Sequence, residues 1–173
     1  MVKNQKRNQQ KNKDFLEKLY NQALHFLSYR PRSKQEIGDY LRRKFQQSQF
    51  NDSEKEKLEE RVLIKLEDQA LINDQEFALW WIEQRLTFRP RGQRCLYGEL
   101  LQKGIKKEII DRALKSIPEE DWQIAAEKIV SKGARVYQSL SFQKLRNKLT
   151  GLLARRGFEY SLIRKVIDEG VKK

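Results

Sequence analysis

From Phe15 onward, apolar residues return at spacings of three and four, and no segment alternates apolar with polar residues beside hairpin turn chemistry. That is the period of helices with one buried face. The first stripe is Phe15, Leu16, Leu19, Tyr20, Ala23, Leu24 and Leu27, in a helix predicted to begin near Asp14, with Glu17 completing a capping pattern. It stops before Pro31, whose ring disfavours helix at Arg30. Ser33 and Glu36 form a capping box for a second helix carrying Ile37, Tyr40 and Leu41. A polar link, QQSQFNDS, leads into a third helix from about Asp52 to Gln69. Asn73 or Asp74 caps a fourth, with Phe77, Ala78, Trp81, Ile82 and Leu86 in its stripe and Trp80 beside it.

The fifth and sixth helices meet at Lys103-Gly104, where a helix C-terminus favours a left-handed residue without a Cβ. Leu96, Leu100 and Leu101 precede this corner; Ile105, Ile109, Ile110, Ala113 and Leu114 follow it. Ser116, Pro118 and Glu119 together open a seventh helix: a cap, a proline in the first turn and an acid at the positive helix end. It runs to about Lys132 through Trp122, Ala125, Ala126, Ile129 and Val130. Ser141 caps an eighth with Phe142, Leu145, Leu149, Leu152 and Leu153. After a corner at Arg155-Arg156-Gly157-Phe158, a ninth helix carries Tyr160, Leu162, Ile163, Val166 and Ile167.

The pattern also repeats on a larger scale. With Arg30, Arg89 and Phe142 as common origins, Ile37 falls on Leu96 and Leu149, Leu41 on Leu100 and Leu153, and Phe45 on Gly104 and Gly157. Beyond the corner Ile105 matches Phe158, Ile110 matches Ile163, and Leu114 matches Ile167. The first copy needs an insertion of about 8 residues, roughly Gln46 to Ser53, to bring Leu58, Val62 and Leu63 into line. The expected fold is therefore all-α: an elongated array of three tandem three-helix, helix-turn-helix-like repeats. The repeats span 14–72, 73–116 and 117–173, after a basic arm, 1–13, expected to be disordered because it is polar and aperiodic.

Composition agrees with an array. Only 38% of residues are hydrophobic and 35% are charged, lean for one thick core but sufficient for small units packing on their neighbours. The formal net charge is +13. Of the 37 positive residues the arm holds only Lys3, Lys6, Arg7, Lys11 and Lys13, so the excess belongs to the folded chain and favours a polyanionic or acidic partner. The single cysteine, Cys95, excludes an internal disulfide and a Cys-based zinc cluster. No apolar run approaches the ~18 residues needed to cross a bilayer, and the N-terminus lacks the apolar core of a secretion signal. A cytoplasmic protein with no membrane partner is expected.

Catalytic chemistry is hard to place. The one histidine, His25, lies at the edge of a stripe, and Cys95 has no evident base near it, so both read as structural. Neither phosphate-cradling glycine loop, G-x-x-x-x-G-K-[ST] or G-x-G-x-x-G, occurs. The expectation is no enzyme activity, cofactor or metal. The basic corners say more. Arg30 and Arg32 flank Pro31; Arg89 and Arg91 flank Pro90; Arg42-Arg43-Lys44, Arg94, Lys103, Lys106 and Arg155-Arg156 sit near the helix junctions. Cations repeated from unit to unit build a stripe suited to a phosphate backbone or a filament groove. Two kinds of partner stay open on this ground. One is a charged protein filament. The other is nucleic acid bound directly, with helices beginning near Ser33 and Gly92 acting as recognition helices.

The segments AL-x-FLSYRPRSKQEIGDYLRRKF, ALINDQEFALWWIEQR, ELLQKGI and LLARRGFEYSLIRKVI, in this order over roughly 15–168, resemble the RecX family of recombination regulators. The chain differs from the family pattern in Asn73, where an acid is usual, in its long link, and in the displaced Arg91-Gly92. The resemblance implies three tandem three-helix units without catalytic activity. It also implies binding to the DNA-bound filament of the RecA recombinase, with inhibition of its ATP hydrolysis, strand exchange and co-protease function in DNA repair and the SOS response. On this reading a monomer contacts RecA, and DNA within the filament or directly, through its basic stripe.

Overall fold

The computed structural model describes residues 2–45, 48 and 50–171, with side chains from residue 10 onward. Among the described residues there are nine helices and no strand. They are α1 (Val2–Leu27), α2 (Lys34–Phe45), α3 (Asp52–Asp68), α4 (Asp74–Phe88), α5 (Gln93–Gln102), α6 (Lys107–Lys115), α7 (Glu119–Val136), α8 (Phe142–Arg155) and α9 (Tyr160–Gly170). The chain divides into two compact units, Met1–Phe77 and Ala78–Lys173, with α4 passing from one into the other.

In the first unit α1, α2 and α3 enclose Leu19, Ala23, Ile37, Leu41, Leu58, Val62 and Leu66. Each fully buried leucine or isoleucine contributes about 1.5–3 kcal/mol by leaving water. The capping box at α2 is present: the Glu36 N–H donates to Ser33 Oγ at 3.1 Å, and the Ser33 N–H donates back to Glu36 Oε2 at 3.4 Å. Asn73 caps α4, its Oδ1 accepting from the Gln75 and Glu76 N–H groups at 2.9 and 3.3 Å. Asp74 does a different job, accepting from the Lys34 N–H at 2.9 Å, so the start of α4 also closes the start of α2. A second capping box, Asn51 with Glu54, opens α3. The long link before it falls partly outside the described residues, at 46, 47 and 49.

Three expectations need correction. The first helix does not begin near Asp14: α1 runs back to Val2, so Asp14 lies within the helix, accepting from the Gln10 amide at 2.8 Å. Residues 2–13 contain no glycine or proline and many lysines and glutamines. Such residues continue a helix readily, and missing periodicity means only that the stretch has no face to bury. Next, α7 extends past Lys132 to Val136, and Ser116 does not cap it. The Ser116 Oγ instead donates to the Ala113 carbonyl at 2.8 Å, closing α6, while Pro118 takes the N-cap position of α7. Finally, Leu101 and Tyr160, counted with the apolar stripes, are 39% and 73% exposed. Leu101 follows the buried Leu100 by one residue, too far round the helix to share its face.

In the second unit α7 packs on both α8 and α9, and α5 packs on α6. Ile82, Leu96, Leu100, Ile105, Ile110, Leu149 and Leu153 are all fully or almost fully buried. Gly133 brings α8 close to α7, since a Cβ there would lie 2.4 Å from Leu149 Cδ2.

Candidate binding surface at the basic corners

The three helix endings that turn sharply share one backbone device. After α5, the Gly104 N–H donates to the Leu101 carbonyl at 2.9 Å and the Ile105 N–H to Leu100 at 3.1 Å. After α8, Gly157 donates to Ala154 at 3.0 Å and Phe158 to Leu153 at 3.3 Å. After α3, Ala70 donates to Glu67 at 2.8 Å and Leu71 to Leu66 at 2.9 Å. This paired pattern ends a helix through one left-handed residue, and the φ values are +75° at Gly104, +83° at Gly157 and +53° at Ala70. Gly104 and Gly157 follow the second helix of their repeats, at the positions the repeat register aligns with Phe45, whereas Ala70 follows the third helix of the first repeat.

The α8 corner carries a second structure. The Arg89-to-Gly92 segment lies against it: the Gly92 N–H donates to the Arg156 carbonyl at 2.8 Å and the Arg94 N–H to the Gly157 carbonyl at 3.2 Å. The Arg94 guanidinium reaches the Ala154 carbonyl at 3.0 Å, and Arg156 reaches the Pro90 carbonyl at 3.5 Å. The N-terminus of α5 thus meets the C-terminus of α8, positive helix end to negative, and each satisfies polar groups the other leaves open. No side chain fits between them. A Cβ on Gly92 would lie 2.3 Å from the Gly157 carbonyl group, and one on Gly157 would lie 2.5 Å from the Cys95 backbone nitrogen. Cys95 is half-buried here with its Sγ 3.6 Å from the Arg155 carbonyl, which accounts for it structurally.

The sequence-predicted cations divide by what they touch. In the first unit Arg30 forms a two-pronged pair with Glu36 at 2.9 and 3.0 Å. Arg32 stacks over the Phe26 ring at 3.8 Å, and burial, with the Arg30 charge beside it, lowers its pKa. Arg42 pairs with Asp39 and Glu59, and its hydrogen bond to Asp39 raises its pKa. Arg43 and Lys44 are exposed on the last turn of α2, with the Lys44 ammonium 5.1 Å from the Tyr40 ring. In the second unit Arg91 lies 3.9 Å from Glu99, and Lys103 sits 4.1 Å over the Trp81 ring. Arg89, Arg94, Lys106 and Arg155 are exposed. More than half of the predicted stripe, Arg94 and Arg156 included, therefore has structural work that charge counting could not reveal.

The two helices suggested as recognition helices have their entrances occupied. The start of α2 is closed by Asp74 and by the Lys34–Glu67 pair at 2.8 Å, placing carboxylates where a base edge or phosphate would approach. The start of α5 lies on Gly157. Sequence reasoning also missed Glu99, which accepts from the Trp81 indole at 2.8 Å and from Arg85 at 2.7 Å and so ties α4 to α5. Lys128 and Lys132 were missed as well; their only signal is i,i+4 spacing on α7, outside the repeated corners.

Fold and surface together define a class: an all-α protein of tandem three-helix units, with cation-rich corners and helix ends tied to one another. The comparisons with known proteins agree. Residues 20–48, 73–114 and 119–167 match the models of the first, second and third three-helix domains of RecX. Regulatory protein RecX of Bacillus cytotoxicus is 34% identical over 154 residues, covering 89% of this chain and 54% of that protein. The Bacillus subtilis protein is 33% identical over 156 residues, covering 90% of this chain and 56% of its own length. The chain spans about half the length of the curated relatives it matches. The crystal structure of RecX from Lactobacillus salivarius superposes with a TM-score of 0.74 at 28% identity, covering 90% of this chain and 96% of that one. The chain belongs to the RecX family of regulatory proteins.

Proposed function

We propose that the protein binds the DNA-bound filament of the RecA recombinase and inhibits its recombinase, ATPase and co-protease activities, acting in the cytoplasm in DNA repair and the SOS response. One observation carries this reading: the three RecX three-helix domains follow one another in order along the chain. The surface chemistry supports it. The net charge is +13, and the outward cations Arg43, Lys44, Arg89, Arg94, Lys106 and Arg155 suit a filament whose DNA and acidic protein groups are anionic. No described helix is long and apolar enough to cross a membrane.

The test is RecA ATP hydrolysis on single-stranded DNA with increasing amounts of the purified protein. Hydrolysis falls as protein is added, and the protein pellets with the filament. The pair Arg43→Glu with Lys44→Glu, both exposed on the last turn of α2, weakens inhibition roughly tenfold at unchanged helicity, because reversing rim charges turns attraction into repulsion. Unchanged hydrolysis together with no pelleting overturns the reading.

A further inference from the structure

The two oxygens of Glu99 have different surroundings. Oε2 accepts from the Trp81 indole N–H at 2.8 Å and from Arg85 Nε at 2.7 Å. Above the same Trp81 ring lie the Arg85 guanidinium, at 4.5 Å, and the Lys103 ammonium, at 4.1 Å. That oxygen is tied into the joint between α4 and α5. The nearest cation to Oε1 is Arg91, whose Nε is 3.9 Å away, an ion pair beyond hydrogen-bond reach. With side-chain exposures of 43% for Arg91 and 24% for Glu99, solvent screens this pair, and little holds it closed.

Arg91 also belongs to a second environment. It lines a groove of about 670 Å³ between the end of α4, the Arg89-to-Arg91 segment, α7 and the last turns of α8. Arg89, Lys128 and Lys132 line the groove with it, beside the exposed Phe88 ring, and no acidic residue does among the described residues. Arg89, Lys128 and Lys132 have no carboxylate partner among the described residues. Arg91 alone of these four is held, by a carboxylate from outside the groove. An anion entering the groove therefore competes with Glu99 for Arg91, and binds less tightly by what breaking that pair costs. Anions that bind only weakly fail to displace the carboxylate, so the pair also sharpens selection.

We propose that Glu99 is a positioning residue for this groove. It tethers Arg91 through one oxygen in the free protein and yields it to an anionic group of the bound partner. Its other oxygen meanwhile keeps Trp81 and Arg85 in place. The inference rests on the reading that the basic surface engages an anionic partner. Its test contains no RecA, so it can fail while the filament reading stands, and the reverse.

The full chain is titrated with tripolyphosphate by calorimetry at low ionic strength. Glu99→Gln keeps an oxygen for Trp81 and Arg85 but offers Arg91 only an amide donor, which cannot hold a guanidinium. This variant binds roughly twofold to fivefold more tightly than wild type, the range of one exposed ion pair, and the gain shrinks as salt screens the pair. Arg91→Ala binds more weakly than wild type, and adding Glu99→Gln to it changes nothing further, because the tether then has nothing to hold. Glu60→Gln, exposed on α3 in the other unit, makes the same change in net charge and shifts affinity by less than about 1.5-fold. Thermal melts confirm that each variant is folded. Nitrogen-15 spectra of the arginine side chains decide the same point in the wild-type chain: tripolyphosphate moves the Arg91 Nε–H signal and leaves that of Arg85 in place. The tether is refuted if Glu99→Gln binds no better than wild type, or if its gain survives in the Arg91→Ala background. An equal gain from Glu60→Gln, or an Arg91 signal that stays where it was, refutes it as well.

Discussion

The corners after α5 and α8 have the same backbone and different surroundings. Both turn through a glycine at a φ near +80°, and both return the same pair of N–H groups to the helix end. Gly104 is only half-buried, whereas Gly157 is buried beneath the entrance of α5, with Gly92 and Cys95 against it. At Gly104 glycine answers a local demand, the left-handed conformation. At Gly157 it answers two, because the crossing chain occupies the volume where a Cβ would stand. One sequence signature, a glycine after an amphipathic helix, thus marks a left-handed cap in both places, and at Gly157 an interlock as well.

The comparison breaks most visibly at Gly157. Gly157→Val combines left-handed strain with a collision against backbone that cannot rotate away, and is expected to cost over about 4 kcal/mol or to prevent folding. Gly104→Val meets the local strain and is expected to cost about 1–2 kcal/mol, leaving a folded protein with a lowered Tm. Thermal melts of the two variants side by side decide the matter; equal losses would mean that the crossing at Gly92 adds nothing to the second corner.

The first unit supplies the converse change. Ala70 holds the same left-handed position, exposed, with a Cβ that disfavours it. Ala70→Gly relieves that strain and is expected to stabilise by up to about 1 kcal/mol, read as a rise in Tm. A fall in Tm would show that the unfolded chain's gain in freedom outweighs the relief.

The smallest effect concerns Glu59, 15% exposed in its side chain and paired with Arg42. Burial raises its pKa, with Arg42 opposing. The folded state then binds this proton more readily than the unfolded one. Its contribution to stability therefore grows as pH falls through the raised pKa toward the ordinary carboxyl range, and is lost as pH rises. Glu59→Gln is expected to change stability by under about 1 kcal/mol near neutrality. Wild type should gain on the variant as the pH of the melt is lowered toward 4.5, the ordinary value for this carboxyl. A lead that shrinks on acidification would make the ion pair, not burial, the dominant influence.

What could be read from the chain alone were the properties set within a few residues. Periodicity located every helix, because which residues share a helical face depends only on their separation along it. The Ser33–Glu36 box and the glycines at 104 and 157 were legible for the same reason: a cap acts on the turn beside it. The start of α1 was not, since an unpatterned helix and an unpatterned coil have similar sequences. Nor could a string of residues say which cations face outward. Arg43 and Arg42 are exposed neighbours of one type, yet Arg42 pairs with Glu59 from another helix while Arg43 has no ion pair among the described residues. Gly92 and Gly157 lie far apart in the chain and touch only when α5 and α8 dock. Partners across such distances are chosen by packing. The tertiary structure alone therefore decided which basic corners are structural, and where Lys128 and Lys132 gather with Arg89 around an exposed ring.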